Sequence, residues 1–127
     1  MSGKLIEEWV RKAEEDYAAA AVLSRQRKKL APDVICFLAQ QCAEKYLKAF
    51  LTAHHKKVPK IHELTTLLKM AAEIDSSLHL IGDLLADLNS YAVDFRYPGE
   101  EATRGEAKHA FRAATETRSI LRMKLRI

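Results

Sequence analysis

Apolar residues recur along the chain at three- and four-residue intervals, the spacing of one helix face, and nowhere alternate over the length of a strand. From about Leu5 to Lys28 the set Ile6, Trp9, Val10, Ala13, Tyr17, Ala20 and Leu23 keeps near-helical spacing. Pro32 stops that pattern, because it disfavours helix at the residue before it while suiting the first position of the next helix. A second helix is predicted from Pro32 to about Ala53, on Ile35, Leu38, Ala39, Cys42, Tyr46, Ala49 and Phe50. The Lys-rich segment from His54 to Lys60 reads as a loop, followed by a short helix from His62 to about Glu73. After a turn at Asp75, Ser76 and Ser77, a fourth helix spans about Leu78 to Phe95, on Leu80, Ile81, Leu84, Leu85, Leu88, Tyr91 and Ala92. Pro98 and Gly99 mark the clearest loop, and the last helix runs from about Arg104 to Leu125.

These elements predict an all-α, up-and-down bundle of four long helices and one short one, a single domain over residues 1–127. With 48% hydrophobic and 30% charged residues the composition is that of a soluble globular chain, neither disordered nor membrane-spanning. The acidic N-terminal stretch lacks the apolar core of a signal peptide, and no apolar run is long enough to cross a bilayer, so a cytoplasmic location is expected. Cys36 and Cys42 lie on different faces of one helix, which predicts buried free thiols rather than a disulfide or a metal knuckle. The five histidines show no ligand spacing, so neither a metal nor a cofactor is expected.

Charge is distributed unevenly. Residues 1–103 carry 14 basic and 15 acidic side chains, whereas residues 104–127 carry seven basic and two acidic. On the last helix Arg104, Lys108, Arg112, Arg118, Arg122 and Arg126 fall within an arc of roughly 120°. That stripe predicts either the solvated face of an amphipathic helix or a surface for RNA, a nucleotide or an acidic partner.

Other polar residues stand out from bundle packing. Gln41, Glu44, Lys45 and Lys48 form a stripe on the second helix, read either as a solvated face or as a polar seam between helices or subunits. Asp16 lies mid-helix, where aspartate has poor propensity, and its burial demands a cation, with Lys45 and Arg96 as candidates. His62 opens the third helix. Arg96 and Tyr97 end the fourth, where an arginine either complements the helix dipole or grips a phosphate.

Trp9, Ala13, Asp16 and Tyr17 in the first helix are joined by Cys36, Phe37, Ala39, Gln40, Gln41, Ala43, Glu44, Lys45, Leu47, Lys48 and Ala49 in the second. His62, Glu63 and Leu64 open the third helix, and Tyr91 precedes Arg96, Tyr97 and Pro98. In this order, over nearly the whole chain, the pattern resembles the HEPN domain family. The resemblance implies a helical bundle that commonly forms a homodimer and works beside nucleotides or RNA. It also implies a minimal nucleotidyltransferase partner in a two-component, toxin–antitoxin-like pair.

Some branches of that superfamily are metal-independent ribonucleases with an arginine and a histidine four to six residues apart at the dimer seam. Arg104 and His109 match that spacing, yet five helical steps set them about 140° apart. No histidine stands at that spacing beyond Arg96. Three functions follow as expectations. The first is a nucleotide- or RNA-associated module without catalysis of its own, its polar cluster made of Asp16, Gln41, Lys45, His62, Arg96 and Tyr97. The second is a ribonuclease using Arg104 and His109, and the third is a purely structural dimeric adaptor.

Overall fold

The computed structural model describes residues 2–28, 31–93 and 98–127, in five α-helices and one 3-10 segment, with no strand among them. Helix α1 spans Ser2–Ser24, α2 Pro32–Ala53, α3 Leu64–Ile74, α4 Gly82–Val93 and α5 Arg104–Leu125. Helix α2 is the axis of the bundle. It buries residues all round its circumference, from Ile35 and Cys36 to Leu51 and Thr52, and it touches α1, α3, α4 and α5. A helix apolar on every side is stable only where neighbours cover every side.

Small residues set how closely the neighbours approach. Ala13 and Ala20 of α1, Ala39 and Ala43 of α2, and Ala107, Ala110, Ala113 and Ala114 of α5 are all buried. The larger core side chains, Tyr46, Phe50, Leu67, Leu85, Leu88 and Leu121, fill the spaces beside these close contacts.

Helix ends are fixed by both local and distant bonds. Pro32 begins α2, and the Asp33 carboxylate accepts from the Ala102 amide at 2.7 Å, so α2 and α5 start side by side. They run parallel, while α1 and α4 run the other way, as an up-and-down bundle requires. At the start of α5, Thr103 and Glu106 form a reciprocal capping box, with bonds of 2.8 and 3.0 Å. Arg126 closes α5 with φ 62° in the left-handed region.

Three helices differ from the sequence expectation, the first of them spanning Ser2–Ser24 rather than about Leu5 to Lys28. The third helix begins at Leu64 rather than His62, because the His62 carbonyl is held by Gln40 (2.8 Å) and the Leu64 amide by Asn89 (3.0 Å). The fourth begins with a 3-10 segment, Ser76–Ile81, before α4 proper. Asp75 caps that segment by accepting from the Ser77 amide. The predicted last residues of the fourth helix, Asp94 and Phe95, lie outside the described residues. No helix among the described residues is long and apolar enough to cross a membrane.

Candidate functional site

Polar chemistry in this bundle is organised around α2 in two layers and one groove. The first layer joins α1, α2 and α5. Glu14 receives a two-pronged bond from Arg118, at 2.6 Å from Nε and 2.7 Å from the second guanidinium nitrogen. The buried Tyr46 hydroxyl donates to the same carboxylate, and Arg122 donates to that hydroxyl at 3.0 Å. The Arg118 bonds hold the Glu14 carboxyl below the usual carboxylate range, and Glu14 in turn raises the Arg118 guanidinium. Burial, reinforced by the bond to Glu14, pushes the Tyr46 phenol up to about 12. Arg118 also lies over the Tyr17 ring at 4.6 Å, and Tyr17 stacks on Phe111 with centroids 5.3 Å apart.

The second layer joins α2 to α1 and to the segment before α3. Glu44 is 3% exposed and holds the equally buried Lys48 at 2.9 Å. His62 Nδ1 reaches the same carboxylate at 3.0 Å, although the rest of its ring faces solvent. Lys48 lies 5.7 Å from the centre of the Trp9 ring. Gln41 donates to Gln40, and Gln40 to the His62 carbonyl, at 2.9 and 2.8 Å. Beside them Lys45 pairs with Asp16 at 2.5 Å.

The stripe on α2 is therefore a seam between helices rather than a solvated face, and Lys45 is the cation that Asp16 requires. Asp16, Gln41, Lys45 and His62 do not converge on one cavity. Asp16 and Lys45 satisfy each other, Gln41 bonds the Gln40 side chain, and the His62 ring meets the Glu44 carboxylate. Arg96 and Tyr97 lie outside the described residues. Glu14, the centre of the first layer, gives no signal in the sequence, since its partners are 32 and 104 positions away.

The cations of α5 divide by their partners. Arg118 and Arg122 are committed to Glu14 and Tyr46 and are only partly exposed. Arg104, Lys108 and Arg112 are exposed and make no ion pair with any described residue. Arg104 and Lys108 line a groove of about 240 Å³ with Ser24 and Gln26 at the end of α1 and Ile35 of α2. Arg25, Arg27 and Lys28, next to Ser24 and Gln26 in the chain, are also exposed but do not line the groove. At this end the carboxylates of Asp33 and Glu106 are bonded to the backbone amides of Ala102 and Thr103, while Glu100 and Glu101 stand exposed just before α5.

Arg104 and His109 do not meet. Arg104 faces the groove beside α1 and α2, while His109 turns to α4, where Nε2 is 3.3 Å from Asp87 and misaligned for a hydrogen bond. Its ring meets Tyr91 edge-on, with centroids 5.8 Å apart. Cys36 and Cys42 are buried thiols outside any disulfide, and burial pushes the Cys42 thiol up to about 12, which keeps it an unreactive thiol. Among the described residues no group of His, Cys, Asp and Glu is placed to hold a metal.

The family model for the HEPN domain matches residues 6–124. The crystal structure of ST0689, an archaeal HEPN homologue, superposes with a TM-score of 0.75 at 23% identity, covering 94% of this chain and 96% of that one. No curated protein matches the sequence.

Proposed function

The chain belongs to the HEPN family, and from that premise we propose that it is a binding module for a polyanionic, nucleotide-containing ligand, without chemistry of its own. One observation carries the reading: of the basic stripe on α5, Arg104, Lys108 and Arg112 are exposed and pair with no acid among the described residues, the first two of them at a groove. Unpaired, exposed cations on one end of a rigid bundle are what phosphate backbones are attracted to. The separation of Arg104 from His109 argues against the ribonuclease alternative, since cleavage needs both groups on one phosphate.

We further propose that the module acts as a homodimer with a minimal nucleotidyltransferase partner, in a toxin–antitoxin-like pair. This part rests on the family resemblance alone. Co-purification with the product of its neighbouring gene, sized by light scattering with bound nucleotide identified by mass spectrometry, tests it. A stoichiometric complex supports the pairing. A lone dimer that carries nothing overturns it and favours the structural adaptor.

A further inference from the structure

A carboxylate and an imidazole meet where the chain enters α3, and their contact fixes the chemistry of the ring. Glu44, buried on α2 and paired with the Lys48 ammonium, takes His62 Nδ1 at 3.1 and 3.0 Å from its two oxygens. An ionised carboxylate only accepts, so Nδ1 carries the ring proton and the neutral ring keeps its lone pair on Nε2. The His62 side chain is 76% exposed, and Nε2, on the ring edge away from Glu44, has no partner among the described residues. Gln40 holds the backbone at the same point by donating to the His62 carbonyl at 2.8 Å. The residue is thus tied to α2 through both its main chain and its ring, with one nucleophilic nitrogen turned outwards.

A histidine this exposed encloses no substrate; it suits an acceptor that enters another protein's active site. Its surroundings favour a group of strong negative charge. Lys60, two residues earlier, is exposed and makes no ion pair with any described residue. Helix α3 begins just beyond His62, and its N-cap residue, Glu63, makes no side-chain capping bond. The Glu63 carboxylate accepts instead from the hydroxyls of Thr65 and Thr66. The first turn of α3 therefore lacks a side-chain cap, and the positive end of its dipole lies beside His62 in the chain.

From this geometry we propose that His62 is a phosphoryl-acceptor site, modified at Nε2 by a donor of the phosphoramidate class, of which another protein's phosphohistidine is one form. The site is separate from the groove at the start of α5. In the transfer the Nε2 lone pair forms the new N–P bond, the donor's own N–P bond breaks, and its electron pair leaves with the donor nitrogen. One N–P bond replaces another, so no oxidant, reductant or further reactant enters. With phosphoramidate itself the leaving group is ammonia. The ring gains a positive charge while Nδ1 keeps its proton, and the Glu44 carboxylate is already in place where that charge develops. The chain supplies the acceptor, and the added group brings about two negative charges to the start of α3.

The test is incubation of the full chain with potassium phosphoramidate at about pH 8, where imidazoles are ordinarily neutral. Peptide mass spectrometry locates the label, and phosphorus NMR identifies the nitrogen that carries it. His54, His55 and His79 are exposed and bond no carboxylate among the described residues, so they are references within the same molecule. His62 should react at Nε2, at least about tenfold faster than each of them, the gain from one charge-assisted hydrogen bond that strengthens along the reaction. Glu44→Gln alone leaves Lys48 unbalanced, so the variant is Glu44→Gln with Lys48→Met, its fold checked by circular dichroism. There the His62 rate should fall to that of the references. His62→Gln should melt as wild type and lose the fast site. Nitrogen NMR of the unmodified chain gives a reading that needs no variant: the His62 proton should sit on Nδ1. An Nε2–H tautomer, labelling of His62 no faster than the references, attachment at Nδ1, or a fast site that survives in the double variant each overturns the proposal.

Discussion

Glu14 is the side chain on which three helices depend, and replacing it with glutamine isolates its charge. Glu14→Gln keeps the shape but leaves Arg118 without its two-pronged partner and Tyr46 with a weaker acceptor. The pair is about 30% exposed, so its worth falls between an exposed ion pair, at most ~1 kcal/mol, and a buried one broken on one side, about 3–5 kcal/mol. A loss of about 2 kcal/mol is expected, or roughly 6–8 °C in Tm for a domain of this size.

The pH dependence fixes the sign. Because Arg118 depresses the carboxyl in the folded chain, the stabilisation is complete above the ordinary glutamate value of 4.5 and fades as pH falls through the lower folded value. The difference between wild type and variant should therefore be full at neutral pH and should shrink below about pH 4. Urea unfolding followed by circular dichroism across that range measures it. A variant within about 0.5 kcal/mol of wild type at neutral pH, or a difference indifferent to acid, refutes the role assigned to Glu14.

Three further outcomes follow from the same geometry. Glu44→Gln leaves the Lys48 ammonium, 6% exposed, without a counter-charge, and should cost about 3 kcal/mol in urea unfolding; adding Lys48→Met should recover much of it. Thr117 is fully buried and its hydroxyl has no hydrogen-bond partner among the described residues, so Thr117→Val should raise stability by about 1 kcal/mol in the same assay. The Lys124 ammonium, 2.8 Å away, and the Ser77 hydroxyl hold the Asp75 carboxyl at about 2, and an NMR titration of Lys124→Met should find it moved up towards the ordinary value of 3.8.

What the sequence reveals here is whatever repeats locally. The limits of α2 and α5 follow from Pro32 and from the punctuation before Arg104, because both helices carry their start signals in their own residues. The start of α3 depends instead on Gln40 and Asn89, distant side chains that hold the backbone at His62 and Leu64, and no local pattern reports them. The same distinction governs the polar groups. Asp16 is recognisable as a buried acid in search of a cation, and Lys45 supplies it. The α5 stripe is visible as periodicity, yet periodicity cannot distinguish Arg118, consumed by Glu14 across the bundle, from Arg104, which lines a groove and pairs with no acid among the described residues. That division exists only once α1 has packed antiparallel to α5.

The division of the α5 cations into a structural half and a binding half is tested most directly by the salt dependence of RNA affinity. Single-stranded RNA binding should weaken with salt at a slope of about 0.7 per phosphate contact. Neutralising Arg104, Lys108 and Arg112 together should reduce that slope by about 2 while the fold melts as before. An unchanged slope, or a loss of RNA affinity that appears only when Arg118 and Arg122 are replaced, would contradict the account.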